Sequence, residues 1–91
     1  MKYRSRTEII AMMLESARSG ATKTKMMYKA YLSYAQVMEY LNHLQQNDLL
    51  AYEEGTQLYR PTEKGLKFLS LSNDLNEMAI VANSKYNWNN V

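Results

Sequence analysis

At 91 residues the chain has room for one small domain, which buries roughly 60–65% of its unfolded surface. Hydrophobic residues make up 46% and charged residues 22%, with three Gly and one Pro, which excludes wholesale disorder and collagen-like or low-complexity chains. The lack of Cys excludes disulfide frameworks, thiol catalysis and Cys-ligated metal sites, and the net charge of +2 says little until its distribution is read.

The first element starts at Ser5-Arg6-Thr7-Glu8, a capping box in which Ser and Glu each satisfy the other's backbone amide. Ile10, Met13, Leu14 and Ala17 follow at i, i+3, i+4 and i+7, with Ile9 widening the stripe. The spacing predicts an amphipathic helix over about 6–18, stopped by Ser19-Gly20. Thr22 reads as the N-cap of a short helix from Lys23 to Ala30, with Met26 or Met27 and Ala30 turned inward, and Tyr31-Leu32 make a tight turn. Ser33-Tyr34-Ala35-Gln36 is a second capping box. Val37, Tyr40, Leu41 and Leu44 predict a third helix over about 34–46, with Asn47 as a left-handed C-cap. Its outer face is Gln36, Glu39, Asn42, His43 and Gln46.

Two short β-prone runs, Leu49–Tyr52 and Gln57–Arg60, enclose Glu53-Glu54-Gly55-Thr56 and predict a hairpin ended by Pro61. Thr62 caps a last helix expected to run to about 83, followed by a polar, Asn-rich, fraying tail that holds Tyr86 and Trp88. In that helix Phe68, Leu71, Leu75, Met78 and Ala82 recur at spacings of 3, 4, 3 and 4, a seam of about two heptads. Leu66 and Leu69 are expected to pack on the domain. Beyond about residue 71 a lone helix would leave the seam wet, although burying each such side chain is worth roughly 1.5–3 kcal/mol. The expected solution is a two-fold partner, and the alternative is a helix folded back on its own domain. The division is therefore residues 1–69 as the domain and 70–91 as dimerisation helix and tail.

Helix, short helix, helix, hairpin, long helix is the order of a winged helix-turn-helix: mainly α, with a small β-hairpin as the wing. Arg4–Ile10, Gly20–Lys25, Tyr28–Ala30, Leu32–Tyr34, Tyr40-Leu41, Leu49-Leu50 and Tyr59–Gly65 together carry a likeness that covers residues 4 to about 69. On these residues the chain resembles the small archaeal winged-helix DNA-binding proteins that dimerise through a C-terminal antiparallel coiled coil. The resemblance implies binding to double-stranded DNA as a homodimer.

Charge distribution bears on that implication. Residues 1–32 carry Lys2, Arg4, Arg6, Arg18, Lys23, Lys25 and Lys29 against two glutamates, a net +5, whereas residues 33–91 sum to −3. Such asymmetry fits one end facing a polyanion, or an ordinary solvated surface with uneven charge. The candidate phosphate-contacting residues are Lys2, Arg4 and Arg6 on the N-terminal arm and Lys23, Lys25 and Lys29 on helix two. Ser33, Tyr34, Gln36 and Asn42 are candidates at helix three. Helix three has no Lys or Arg, so the common cationic contact to guanine is missing. Only Gln36, Asn42, Gln45 and Gln46 suit adenine edges, and Glu39 would meet a groove of negative potential, though a carboxylate can accept from cytosine. The acidic wing tip, Glu53-Glu54, also departs from a phosphate-binding wing. These departures leave open a second reading, a protein-interaction module on the same scaffold.

No Gly-rich phosphate loop, catalytic triad or metal-ligand spacing is present, and His43 stands alone, so neither an enzyme nor a cofactor, metal or small-molecule substrate is expected. The seven Met residues read as core or interface filler and the Tyr excess as core and rim. No run of about 18 apolar residues exists and Met1–Ile10 lacks an apolar signal core, so no membrane contact and a cytoplasmic location are expected.

Overall fold

A computed structural model describes the backbone of residues 4–90 and the side chains of residues 4–78. Helix α1 spans Arg6–Ser16, α2 Lys23–Lys29 and α3 Tyr34–Gln46. Strands β1 (Leu50–Glu53) and β2 (Leu58–Pro61) form an antiparallel hairpin, and α4 spans Glu63–Asn90.

All three short helices begin where capping side chains dictate. Ser5 Oγ accepts from the Glu8 amide at 3.0 Å while Glu8 Oε1 accepts from the Ser5 amide at 2.8 Å. The Ser5 amide, then the Ser5 hydroxyl, hold the Glu8 carboxyl below the usual carboxylate range. Thr22 accepts from the Lys25 amide, and Ser33 and Gln36 repeat the reciprocal box.

The third helix ends at Gln46 as expected, while the first two ends and the left-handed position after α3 differ. The first helix stops at Ser16, with Ala17 as C-cap, and the second at Lys29, with Ala30 as C-cap. Asn47 is not left-handed (φ −94°); Asp48 is, at φ 58°. The reason lies in two Schellman closures. After α3, the Leu49 amide donates to the Leu44 carbonyl at 2.8 Å and Asp48 to Gln45 at 3.1 Å. After α2, Leu32 donates to Met27 at 2.9 Å and Tyr31, at φ 54°, to Tyr28 at 3.3 Å. Asn47 instead turns its side-chain amide onto the His43 carbonyl.

The core joins every element. Ile10, Met13 and Leu14 of α1, Met26 of α2, Val37, Leu41 and Leu44 of α3, Leu49 and Leu50 at the hairpin, and Leu69 of α4 are buried together. Met12 and Met27 pack half-buried on this cluster, consistent with filler, whereas Met38 and Met78 are exposed. Of the tyrosines, Tyr40 and Tyr59 pack on the core; Tyr28, Tyr31, Tyr34 and Tyr52 lie at the surface.

In the hairpin Leu50 pairs with Pro61, Ala51 with Arg60, Tyr52 with Tyr59 and Glu53 with Leu58, and the Tyr52 and Tyr59 rings meet at 4.9 Å. Ala21 bonds the far edge of β2 through two hydrogen bonds with Tyr59, at 3.0 and 2.8 Å. Gly20 makes this possible. It sits at φ +99°, and a Cβ there would press on Leu58 Cδ1 at 2.9 Å.

Helix α4 is fastened at its first turn. The Thr62 hydroxyl donates to the Asp48 carbonyl at 2.6 Å, the Thr62 amide to Leu49 at 3.1 Å, and Lys64 Nζ to Asn47 at 2.9 Å. The start of α4 thereby satisfies the carbonyls of Asn47, the C-cap of α3, and of Asp48 and Leu49 in the turn that follows. Gly65, Leu69 and Ser72 form the buried row of α4. Leu66 does not pack on the domain as expected: it stands one residue round from Gly65, off that row, and is 41% exposed. Phe68, expected in the outer seam, is half-buried against the core. The helix continues to Asn90, past its expected end and through the stretch read as a fraying tail; Ala82 lies outside the described side chains.

Candidate nucleic-acid interface

Helices α2 and α3, joined by the Tyr31 turn, form a helix-turn-helix, and β1–β2 stand beside it as a wing. On α3 the buried positions Val37, Leu41 and Leu44 leave Ala35, Glu39, Asn42 and Gln46 as the outermost row, all exposed. Tyr34, 60% exposed, flanks that row at the helix start. Lys23 lies against it, with Nζ 5.1 Å from the ring centroid and 3.4 Å from the hydroxyl. The pair sets one ammonium and one phenol beside the first turns of α2 and α3, where unpaired amides favour anions.

The cations of the amino-terminal third do not share one face. Lys25 and Lys29 sit on the side of α2 away from Lys23 and line a groove of about 620 Å³ between α1, α2 and α4. The groove's two carboxylates are already engaged. Glu8 closes its capping box, and the Arg18 guanidinium holds Glu15 below the usual carboxylate range through bonds of 3.0 and 3.1 Å. Arg4 is spent structurally: its guanidinium donates to the Ala30 and Tyr31 carbonyls at the C-terminal end of α2 and to Met12 Sδ. Arg6 stacks over the Tyr40 ring of α3 at 5.8 Å. Lys2 lies outside the described residues.

Two candidates on α3 are partly committed. Ser33 Oγ and Gln36 Oε1 both serve the capping box, so Gln36 keeps only its NH₂ for another partner. Asn42 is exposed and makes no hydrogen bond through its side chain among the described residues. At the wing tip the Thr56 hydroxyl (2.5 Å) and Arg60 (3.4 Å) hold Glu53 low in pKa, the hydroxyl contributing most. Glu54 remains the wing's uncompensated charge among the described residues.

The sequence reading missed the cation–π partners of Lys23 and Arg6, because Tyr34 and Tyr40 lie eleven and thirty-four positions away in the chain. It also missed Arg4's capping role, which depends on α1 and α2 meeting in space. Among the described residues no cluster of His, Asp and Glu could hold a metal, and no helix is long and apolar enough to cross a membrane.

These elements define a winged helix-turn-helix protein. The model of the winged helix-turn-helix family matches residues 3–80, and the chain belongs to that family. In fold the chain is similar to ZitR of Lactococcus lactis, solved as wild type in complex with DNA. The TM-score is 0.69 at 19% identity over 94% of this chain, and the match spans 62% of the ZitR chain. No curated protein sequence matches the chain.

Proposed function

We propose that the protein is a DNA-binding regulator or chromatin-type binder that acts as a homodimer and lays α3 in the major groove. The observation that carries this reading is the Lys23–Tyr34 pair beside the exposed, polar face of α3. A helix-turn-helix places its second helix against base edges while the first crosses the backbone, and ZitR, similar in fold, was captured on DNA. Lys23 and the Tyr34 hydroxyl are assigned to one phosphate, and Lys25 and Lys29 to backbone on the other side of α2. Arg6, and Lys2 on the arm, add contacts beside them.

The same reading assigns residues 70–91 to dimerisation. Leu71, Leu75 and Met78 are 54%, 63% and 68% exposed and share one face of α4, an apolar stripe that a second copy would cover. Doubling the phosphate contacts in this way strengthens a module that has few of its own.

The test is titration of duplex DNA at two salt concentrations. The variant Lys23→Glu/Lys25→Glu is expected to lose binding while circular dichroism and oligomeric state stay as in the parent. Neutral replacement of both lysines by Gln removes four contacts from a bound dimer and should flatten the plot of log affinity against log salt by about 3.6, at about 0.9 per phosphate contact. The second reading, a protein-interaction module, is favoured by Glu39 at the centre of α3 and Glu54 at the wing. Unchanged DNA affinity in the double Glu variant would establish it over the first.

A further inference from the structure

We propose that Glu39 is a specificity-determining residue of α3, accepting a hydrogen bond from the exocyclic amino group of a cytosine in the major groove. The inference rests on the DNA-binding reading above and deepens it. In the outermost row of α3, Glu39 lies between Ala35 and Asn42 and is exposed. Apart from the lone His43 it is the helix's one ionisable acid or base other than tyrosine, and no Lys or Arg accompanies it.

A carboxylate carried into the groove of a polyanion is repelled unless something donates to it. Within the protein nothing does so by an ion pair: among the described residues the ion pairs are Arg18–Glu15 and Arg60–Glu53. Arg6 lines a small cavity with Glu39 and Tyr40, but its guanidinium lies over the Tyr40 ring. The Glu39 carboxylate therefore reaches the groove with its acceptor capacity unspent.

The major-groove edges then decide the partner. Guanine and thymine present acceptors there, which oppose a carboxylate. Adenine presents a donor flanked by the N7 acceptor, and cytosine presents the N4 amino donor. An acceptor-only side chain fits cytosine best. Asn42, three residues on in the same row, carries both a donor and an acceptor and fits adenine N6 and N7. Gln36 would compete for adenine, but its carbonyl oxygen is held by the Ser33 amide. The helix thus reads cytosine and adenine on the strand it follows and makes no cationic contact to guanine.

The experiment is selection from randomised duplexes with the full chain, followed by titration of single-base variants at one fixed salt concentration. The parent protein is expected to enrich cytosine at one position, where any other base costs about tenfold in affinity. Glu39→Gln is expected to move the preference at that position to adenine, because Gln pairs with N6 and N7. Glu39→Ala is expected to level that position and leave the others unchanged. Both variants should fold, since the side chain is exposed. If Glu39→Gln instead tightens binding to every duplex by one common factor, with base preferences unaltered, Glu39 only repels and the proposal is overturned. A parent protein that retains no duplex overturns the DNA-binding reading itself, a failure visible before any substitution is made.

Discussion

Two glycines in similar sequence surroundings do opposite things. Gly65 has no room for a side chain: a Cβ there would overlap the Leu49 carbonyl oxygen and lie 3.1 Å from its carbon. Backbone cannot move aside as a flexible side chain can, so Gly65→Ala is expected to cost about 2–3 kcal/mol. Gly55 in the wing turn meets nothing within 4 Å and does not adopt positive φ; Gln57 takes the left-handed position instead. Gly55→Ala is expected to stabilise by about 0.4–1 kcal/mol through the unfolded chain. Paired urea titrations check both, with midpoints moving in opposite directions. In the sequence the two glycines look alike, each beside a Glu or Lys near a chain reversal. What separates them is whether a distant carbonyl arrives, and the local sequence does not encode that.

Helix starts were more legible than the way helices end, for a physical reason. Ser5, Thr22 and Ser33 carry the capping oxygen on the residue itself, so the start is written where it occurs. The ends of α2 and α3 are closed by backbone bonds through Tyr31 and Asp48 in the left-handed region, residue types that give no strong local signal. The Asn47 expectation failed because Asn47 caps His43 with its side chain and passes the left-handed turn to its neighbour. An L-residue in that region stores strain that Gly does not. Asp48→Gly is therefore expected to stabilise by about 1 kcal/mol, read as a higher thermal midpoint, because the bonds from Thr62 go to backbone that the substitution retains. For the candidate site, the sequence singled out Lys23 and Tyr34 separately; their approach needed the fold. It grouped Arg4 with the free cations because a guanidinium's duty at a helix end depends on tertiary contact.

At the scale of the molecule the chain is more extended than its length requires. Its radius of gyration is 15.2 Å, against about 12 Å for a compact chain of this length. Helix α4 carries its outward stripe of Leu71, Leu75 and Met78 along this extended shape. If that stripe is the seam between two copies, Leu75→Asp is expected to give a monomer by light scattering at micromolar concentration, with the domain still folded by circular dichroism. A variant that remains dimeric would place the seam elsewhere. The heptad spacing was visible in the sequence. That the core claims Phe68, the first residue of that spacing, was not.

The first turn of α4 is bolted to Asn47, Asp48 and Leu49, the turn that follows α3, by Thr62 and Lys64, with Gly65 permitting backbone against backbone. A joint this tight has no slack. Torque on the long helix passes through this turn to the short one, so twisting or bending α4 would tilt α3 like the far arm of a lever. Lengthening the chain between β2 and α4 by even a residue would turn that lever into a loose tether.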